Sequence, residues 1–301
     1  IGKNTAPAIT ISALKALEEE KDPLLLILSS DHIFEDNEKF IEVIKAGIKT
    51  AKKDKLVNFG VKPTRPETGY GYIQANECIK NNSLKAIPIN KFIEKPNKEK
   101  AIKLINDDRY LWNSGIFLFK ASTILSELKN FEPDLLSLCK TAFLHSTKDL
   151  DFQRLEKKSF EKCPNLSIDY AVMERTNNAY VIPLNAGWRD IGNWNSLWDS
   201  EKKDENGNSL IGDVKIEKVN NCYLNSKDKL LVTIGTENLI IVQTKDATLV
   251  ANNNYSQEIK NIVNQLISEK RSEGEEHQKV FRPWGYFNSI EKGSNWQVKE
   301  I

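Results

Sequence analysis

Five consecutive apolar residues, Leu24-Leu25-Leu26-Ile27-Leu28, stop abruptly at Ser29-Ser30-Asp31-His32. An unbroken apolar run of strand length suits a strand covered on both faces, the usual setting of a parallel sheet. A helical pattern over residues 37–53 follows, and Leu56-Val57-Asn58-Phe59-Gly60-Val61 reads as the next strand. Strand, helix and strand at this spacing predict an α/β domain with a parallel sheet. Ahead of them, residues 4–20 read as a helix that Asn4 or Thr5 can cap, with Ile9, Ile11, Leu14 and Leu17 as its apolar stripe. Further strands are expected at residues 91–94, 114–119 and 179–183.

The texture changes near Asp204-Glu205-Asn206-Gly207-Asn208, where turn formers cluster. Short β-type runs at 222–224, 230–234, 239–242 and 248–250 predict a small β domain. A helix over 256–270 and a polar linker over 271–278 are expected next, and Phe281 restarts a fold. The first residue is Ile and the chain stops in a strand-like run, so both ends read as cut. The division expected is residues 1–205, 206–270 and 271–301.

Composition narrows the function. Among 301 residues, 43 Lys and Arg nearly cancel 42 Asp and Glu. That balance argues against a nucleic-acid groove or an anionic membrane surface as the main partner. No apolar run is long enough to span a bilayer. Four dispersed cysteines without a C-x-x-C pair argue against a disulfide scaffold or zinc cage and for a reducing cytoplasm. Three histidines make a His-rich metal centre a poor expectation.

Chemistry is expected at strand ends, where α/β sheets bind ligands. Asp31 directly follows a buried strand and suits a Mg²⁺ ligand, or simply caps the next turn. Asp190 lies in Gly187-Trp188-Arg189-Asp190-Ile191-Gly192-Asn193-Trp194, a glycine-flanked turn between tryptophans that could equally plug the core. Thr68-Gly69-Tyr70-Gly71-Tyr72 lacks the spacing of a phosphate-binding fingerprint and is either a hairpin turn or a place of close backbone approach. Glu94-Lys95-Pro96 offers a carboxylate for hydroxyls and an ammonium for a phosphate, or a surface ion pair. Asn113 beside Ser114-Gly115 offers an amide. Ser167-Ile168-Asp169-Tyr170 could be a helix start with Ser167 as cap and Tyr170 in the core. His145 and His277 receive no role.

Taken in order, the motifs do more. Asn4-Thr5-Ala6-Pro7-Ala8-Ile9, Ser30-Asp31-His32, Glu67-Thr68-Gly69-Tyr70-Gly71-Tyr72-Ile73 and Glu94-Lys95-Pro96 are followed by Trp112-Asn113-Ser114-Gly115. Ser167-Ile168-Asp169-Tyr170-Ala171-Val172-Met173-Glu174 and Gly187-Trp188-Arg189-Asp190-Ile191-Gly192 complete the series. It closely resembles the mannose-1-phosphate guanylyltransferases of the bacterial type often fused to a C-terminal mannose-6-phosphate isomerase domain. Arg282-Pro283-Trp284-Gly285 resembles the start of that isomerase, a cupin barrel. The resemblance covers essentially the whole chain. It implies a Rossmann-like sugar nucleotidyltransferase sheet, incomplete at its N-terminus, then a small β domain and the beginning of a cupin.

The reaction implied is GTP plus α-D-mannose 1-phosphate to GDP-mannose and pyrophosphate, with Mg²⁺ as cofactor. Asp31 and Asp190 would hold the metal, and with Lys95 form the catalytic set. Lys95 would meet the sugar phosphate, Glu94 the mannose hydroxyls, Gly71 the sugar through its backbone amide, and Asn113 the sugar ring. Asp169 or Tyr170 would line the sugar pocket, and Asn4 and Thr5 would lie near guanine. The resemblance leaves homo-oligomerisation open.

Such enzymes open with a glycine-rich loop bearing Arg and Lys, which this sequence lacks, so poor GTP binding and slow turnover are expected of these 301 residues. The cupin's metal ligands are also lacking, so isomerase activity is not assigned. Two rivals stand beside this reading: a transferase for another sugar 1-phosphate or base, and a non-catalytic sugar-nucleotide binder. A purely structural domain leaves the strand-end motifs unexplained.

Overall fold

The computed structural model describes residues 2–80, 83–150, 152–274, 279–282, 285–293 and 295–300. The chain divides at the Arg189–Asp190 peptide bond into two compact units, residues 1–189 and 190–301.

The first unit opens with α1 (Thr5–Glu19), whose first free N–H is taken by the Asn4 side chain, so Asn4 is the cap. Ala6, Ile9 and Ala13 bury one face of it at helical spacing. The chain continues through β1 (Leu24–Ile27), β2 (His32–Ile33), α2 (Asn37–Ala51), β3 (Leu56–Val61), β4 (Tyr72–Ala75) and β5 (Ile87–Ile93). It then runs through α3 (Lys98–Leu104), β6 (Tyr110–Lys120), α4 (Ala121–Phe131), α5 (Pro133–Leu144) and the small hairpin β7 (Thr147–Asp149) and β8 (Phe152–Arg154). After α6 (Lys157–Lys162) come a π-helical turn (Asp169–Met173), β9 (Ala179–Pro183) and the short β10 (Arg189–Asp190).

Six strands form the central sheet in the order β1-β6-β3-β9-β5-β4. Neighbouring residues point to opposite faces, and both faces are covered. Leu56, Phe117, Phe119 and Val181 join a core with residues of α1, α4 and α5, whereas Val57, Phe59, Leu118 and Ile182 join another with residues of α2. Double coverage explains the unbroken run at 56–61, but two expectations are corrected. β1 is an edge strand, and Leu26 and Leu28 are exposed, so the run at 24–28 is not covered on both faces, and the sheet is not parallel. Among the described residues of this sheet, only β3 and β9 run parallel. β6 is antiparallel to β1, β3 and β4, and β5 is antiparallel to β4 and β9. In β3, burial on both faces and not strand direction dictates the run.

In the second unit, α7 (Trp194–Ser200) precedes β11 (Ser209–Glu217), β12 (Tyr223–Ile234), β13 (Leu239–Gln243) and β14 (Thr248–Asn252). β11, β12 and β13 are parallel, with Ser209 facing Tyr223 and Tyr223 facing Ile240, while β14 returns antiparallel. Parallel strands joined directly, each stacked on the last, form the coils of a β-helix. The runs at 222–224 and 230–234 belong to one strand, β12, because polar Ser226-Lys227-Asp228-Lys229 stays extended between them. The helix expected over 256–270 begins as a 3₁₀ turn (Asn253–Glu258) and becomes α-helical only at α8 (Ile259–Ser268). A three-stranded antiparallel sheet of β15 (Lys279–Arg282), β16 (Gly285–Lys292) and β17 (Gln297–Glu300) follows. Part of the linker expected at 271–278, together with His277, Pro283 and Trp284, lies outside the described residues. Among the described residues, no helix is long and apolar enough to cross a membrane.

Candidate active site

The site is built around a bulge. Along β3, Asn58 faces Phe117 but Gly60 faces Asn113, so β6 carries extra residues at Ser114–Ile116 and Gly115 adopts φ +71°. Bulges bend a strand and re-aim its side chains, and this backbone conformation favours glycine. The Asn113 amide is held from three sides. Its Oδ1 accepts from Asn58 Nδ2 at 3.0 Å and from the Gly115 N–H at 3.0 Å, and its Nδ2 donates to Asp169 Oδ1 at 2.9 Å. Its backbone N–H donates to the Gly71 carbonyl at 2.8 Å.

Gly71 precedes β4, and pairing of β4 with both β5 and β6 sets Gly71 beside Glu94 and Asn113. A Cβ on Gly71 would lie 2.6 Å from Glu94 Oε2 and 3.3 Å from Asn113 Cβ, so close backbone approach, not a plain turn, explains the glycine. The Glu94 backbone N–H donates to Glu174 Oε1 at 3.1 Å. Lys95 adopts φ +42°, rare for a residue with a side chain, and its ammonium lies 3.4 Å from Glu94 Oε1. Gly71, Glu94, Lys95, Asn113 and Asp169 therefore converge, though they span almost a hundred residues of sequence.

The cluster is electrostatically unbalanced. Burial pushes the Glu94 carboxyl above its ordinary range, the nearby Asp169 adds to that, and the Lys95 ammonium opposes it. Burial likewise raises Asp169, against the hydrogen bond from Asn113. Glu94 Oε2 is buried with no hydrogen-bond partner among the described residues. An acceptor of that kind calls for a donor from a ligand.

Thr5 Oγ1 accepts the Ile168 N–H at 2.8 Å, and the Ala6 N–H donates to the Leu166 carbonyl at 3.1 Å. The start of α1 is thus fastened to the turn that presents Asp169. Thr5, Ser12, Ser29, Gly115 and Asp169 border one open cleft of about 450 Å³ beyond the end of β1. Asn4 is spent on capping α1 and does not line the cleft. Ser167 Oγ accepts the Tyr170 N–H at 3.3 Å, as a cap does, but Tyr170 is 48% exposed and not in the core. A separate cavity of about 360 Å³, bordered by Lys62, Tyr110 and Trp188, contains none of the predicted residues.

Asp31 opens the segment leading to α2, and that segment packs on residues 186–189. The Glu35 and Asp36 N–H groups both donate to the Ala186 carbonyl, at 3.0 and 3.1 Å. The His32 ring meets Trp188 edge-on at 5.3 Å, and Glu35 pairs with Arg189. Gly187 has φ +64°, and a Cβ there would stand 2.6 Å from Glu35 Cβ. Asp190 is the next residue after Arg189, in a strand that pairs with β2. Asp31, His32 and Asp190 each offer one ligand atom, all within 4.8 Å of one another. Two carboxylates and an imidazole are a donor set that fits a divalent cation. Asp190 Oδ1 also accepts the Gly192 N–H at 2.7 Å, which orients it.

Three residues escaped the sequence reading: His32, Glu174 and Asn58. His32 was next to a singled-out carboxylate, and Glu174 closed a quoted motif. Asn58 gave a weaker signal, the only polar side chain inside an apolar strand.

Residues 1–207 match the nucleotidyl transferase family. The chain belongs to that family. Beyond the nucleotidyl transferase region, residues 213–266 match the MannoseP isomerase/GMP-like beta-helix domain and residues 269–301 the mannose-6-phosphate isomerase C-terminal family. The chain is 47% identical to a mannose-1-phosphate guanylyltransferase of Salmonella montevideo, over 100% of its own length and 64% of that protein. It is 43% identical to one from Escherichia coli K12, covering 63% of it, and 42% identical to the alginate biosynthesis protein AlgA of Pseudomonas aeruginosa, covering 62%. It thus spans a little under two thirds of the relatives it matches. Among solved structures it resembles a protein of Thermus thermophilus described as a mannose-1-phosphate geranyltransferase, at 26% identity and TM-score 0.74, over 88% of this chain and 76% of that one. These likenesses agree with the α/β transferase fold followed by β-helix and isomerase-like segments.

Proposed function

We propose that the protein is a mannose-1-phosphate guanylyltransferase, joining GTP and α-D-mannose 1-phosphate to form GDP-mannose and pyrophosphate. The observation that carries this reading is the convergence of Gly71, Glu94, Lys95, Asn113 and Asp169 in one cluster of the first unit. It joins acceptors for hydroxyls to a cation for a phosphate, the combination a sugar phosphate demands. The names of the Salmonella montevideo and Escherichia coli K12 relatives, at 47% and 43% identity, support the particular sugar and base.

In the reaction, a phosphate oxygen of the sugar bonds to the α-phosphorus of GTP as the bond to pyrophosphate breaks. Little covalent chemistry falls to the protein, which positions the two phosphates and offsets their repulsion. Glu94 accepts from the mannose hydroxyls, and the Gly71 amide and Asn113 orient the ring. Lys95, 61% exposed at its side chain, is free to swing from Glu94 to the sugar phosphate. Asp169 and Tyr170 border the sugar, and Thr5 borders the guanine. Asp31 and Asp190 would hold Mg²⁺, with His32 beside them, and the ion supplies positive charge for the crowded phosphates. Residues 1–205 would carry the transfer, 206–270 the β domain and 271–301 the start of the isomerase segment. Four unbridged cysteines accord with a cytoplasmic setting.

A substrate panel tests the reading. GTP, ATP, UTP and dTTP are paired with mannose and glucose 1-phosphates in the full-length protein, and pyrophosphate release is followed. GTP with mannose 1-phosphate should lead by at least tenfold in kcat/KM. Preference for another pair would reassign the substrate, and binding without turnover would make the protein a sugar-nucleotide binder.

A further inference from the structure

Asn58 sits at the centre of β3, fully buried between Val57 and Phe59. Its Oδ1 has no hydrogen-bond partner among the described residues. A buried unsatisfied amide oxygen is costly, and an apolar side chain of similar size would avoid the cost. Structure alone therefore gives no reason for an asparagine here.

The hydrogen bonds supply one. The Gly115 N–H can only donate, so the Asn113 atom facing it at 3.0 Å is the amide oxygen. That fixes the Asn113 amide, and its nitrogen turns to Asp169 at 2.9 Å. The Asn58 atom 3.0 Å from the same Asn113 oxygen must then be the Asn58 nitrogen. With both lone pairs of Asn113 Oδ1 taken, one Nδ2 hydrogen is all that its side chain has left to offer. Asn113 meets a ligand only as a donor, while Glu94 Oε2 beside it meets a ligand only as an acceptor when ionised.

We infer that Asn58 is a positioning residue for the sugar site: by donating to the Asn113 carbonyl it presents that amide to the ligand nitrogen-first. The pocket then selects a polyol whose hydroxyls accept from Asn113 and donate to Glu94. This inference rests on the sugar-phosphate reading above, and it deepens that reading by adding a residue that touches no substrate.

The test uses Asn58→Leu, Asn58→Ala, Asn113→Ala and the double variant Asn58→Ala/Asn113→Ala in the full-length protein. Removing the buried unsatisfied oxygen should leave Asn58→Leu at least as heat-stable as the parent. Its KM for mannose 1-phosphate should rise about tenfold, with KM for GTP unchanged. Because Asn58 acts through Asn113, Asn58→Ala should add less than twofold to the loss seen in Asn113→Ala, where independent residues would multiply. Should Asn58→Leu fail to fold, the cycle of alanine variants decides alone. A parental KM in Asn58→Leu, or multiplicative losses in the cycle, would overturn the inference. A parent protein that neither binds nor turns over mannose 1-phosphate would instead overturn the guanylyltransferase reading.

Discussion

Gly71 and Glu94 are in contact across the β4–β5 pair: a Cβ at position 71 would stand 2.6 Å from Glu94 Oε2. Sequence distance hides this, since 22 residues separate the two numbers, yet the carboxylate has its place only because the glycine has no side chain. Gly71→Ala should therefore push the Glu94 carboxylate out of position and crowd Asn113 and the Phe92 ring, each 3.3 Å from the added Cβ. Steady-state kinetics should show KM for mannose 1-phosphate raised at least tenfold and KM for GTP within twofold of the parent. Unchanged kinetics would mean that Glu94 does not grip the sugar.

Glu94 exacts a stability cost. Burial, then Asp169, raises its carboxyl above the unfolded value, so between the two values the folded protein binds this proton more tightly than the unfolded chain does. Its contribution to stability falls as pH rises from the ordinary carboxylate range through the raised value. Glu94→Gln removes that loss. Thermal unfolding at pH 7 should show a Tm above that of the parent. The difference should vanish below the ordinary carboxylate range, and sugar binding should be lost at both pH values. A lower Tm at pH 7 would contradict the sign.

Lys95 holds a left-handed backbone, φ +42°, at a cost of about 1 kcal/mol or more. Strain of this kind persists where the surroundings enforce it, and here it carries the ammonium beside Glu94. Lys95→Gly should relieve the strain and Lys95→Ala should not, so denaturant melts should find the glycine variant the more stable by about 1 kcal/mol. Both should lose about a hundredfold in kcat/KM, because both lack the cation. Equal stability would remove the strain from the account.

Cys139 and Cys163 place their sulfurs 3.7 Å apart in the core beneath α5 and α6. Burial raises both thiols, which keeps them protonated and unreactive. Cys222 is buried and Cys78 exposed. Ellman's reagent should therefore label one thiol quickly in the native protein, Cys78, and the other three only after denaturation. Fast labelling of more than one would contradict the packing described here.

Much of this was legible in the residues themselves. The apolar runs at 24–28 and 56–61 announced strands, but only the second has two covered faces, since Leu26 in the edge strand β1 and Leu28 just after it are exposed. Of the two caps expected for α1, Asn4 is the one used. Strand direction was not legible, because an apolar run records burial and not the partner it pairs with; only long-range contacts turned β6 antiparallel to β3. Asn113 could be picked from its motif, but its donor-only role depends on a bulge and on Asn58, 55 positions away. Glu174 and His32 stayed hidden for the same reason. Each acts through a neighbour that only the fold supplies.

The measurement closest to the heart of the account is kcat/KM for GDP-mannose formation in Asp31→Asn, Asp190→Asn and the double variant of the full-length protein. If the two carboxylates hold one cation, each single variant should lose at least a hundredfold and the double little more than either alone. Near-parental rates in either single variant, or losses that multiply in the double, would contradict it.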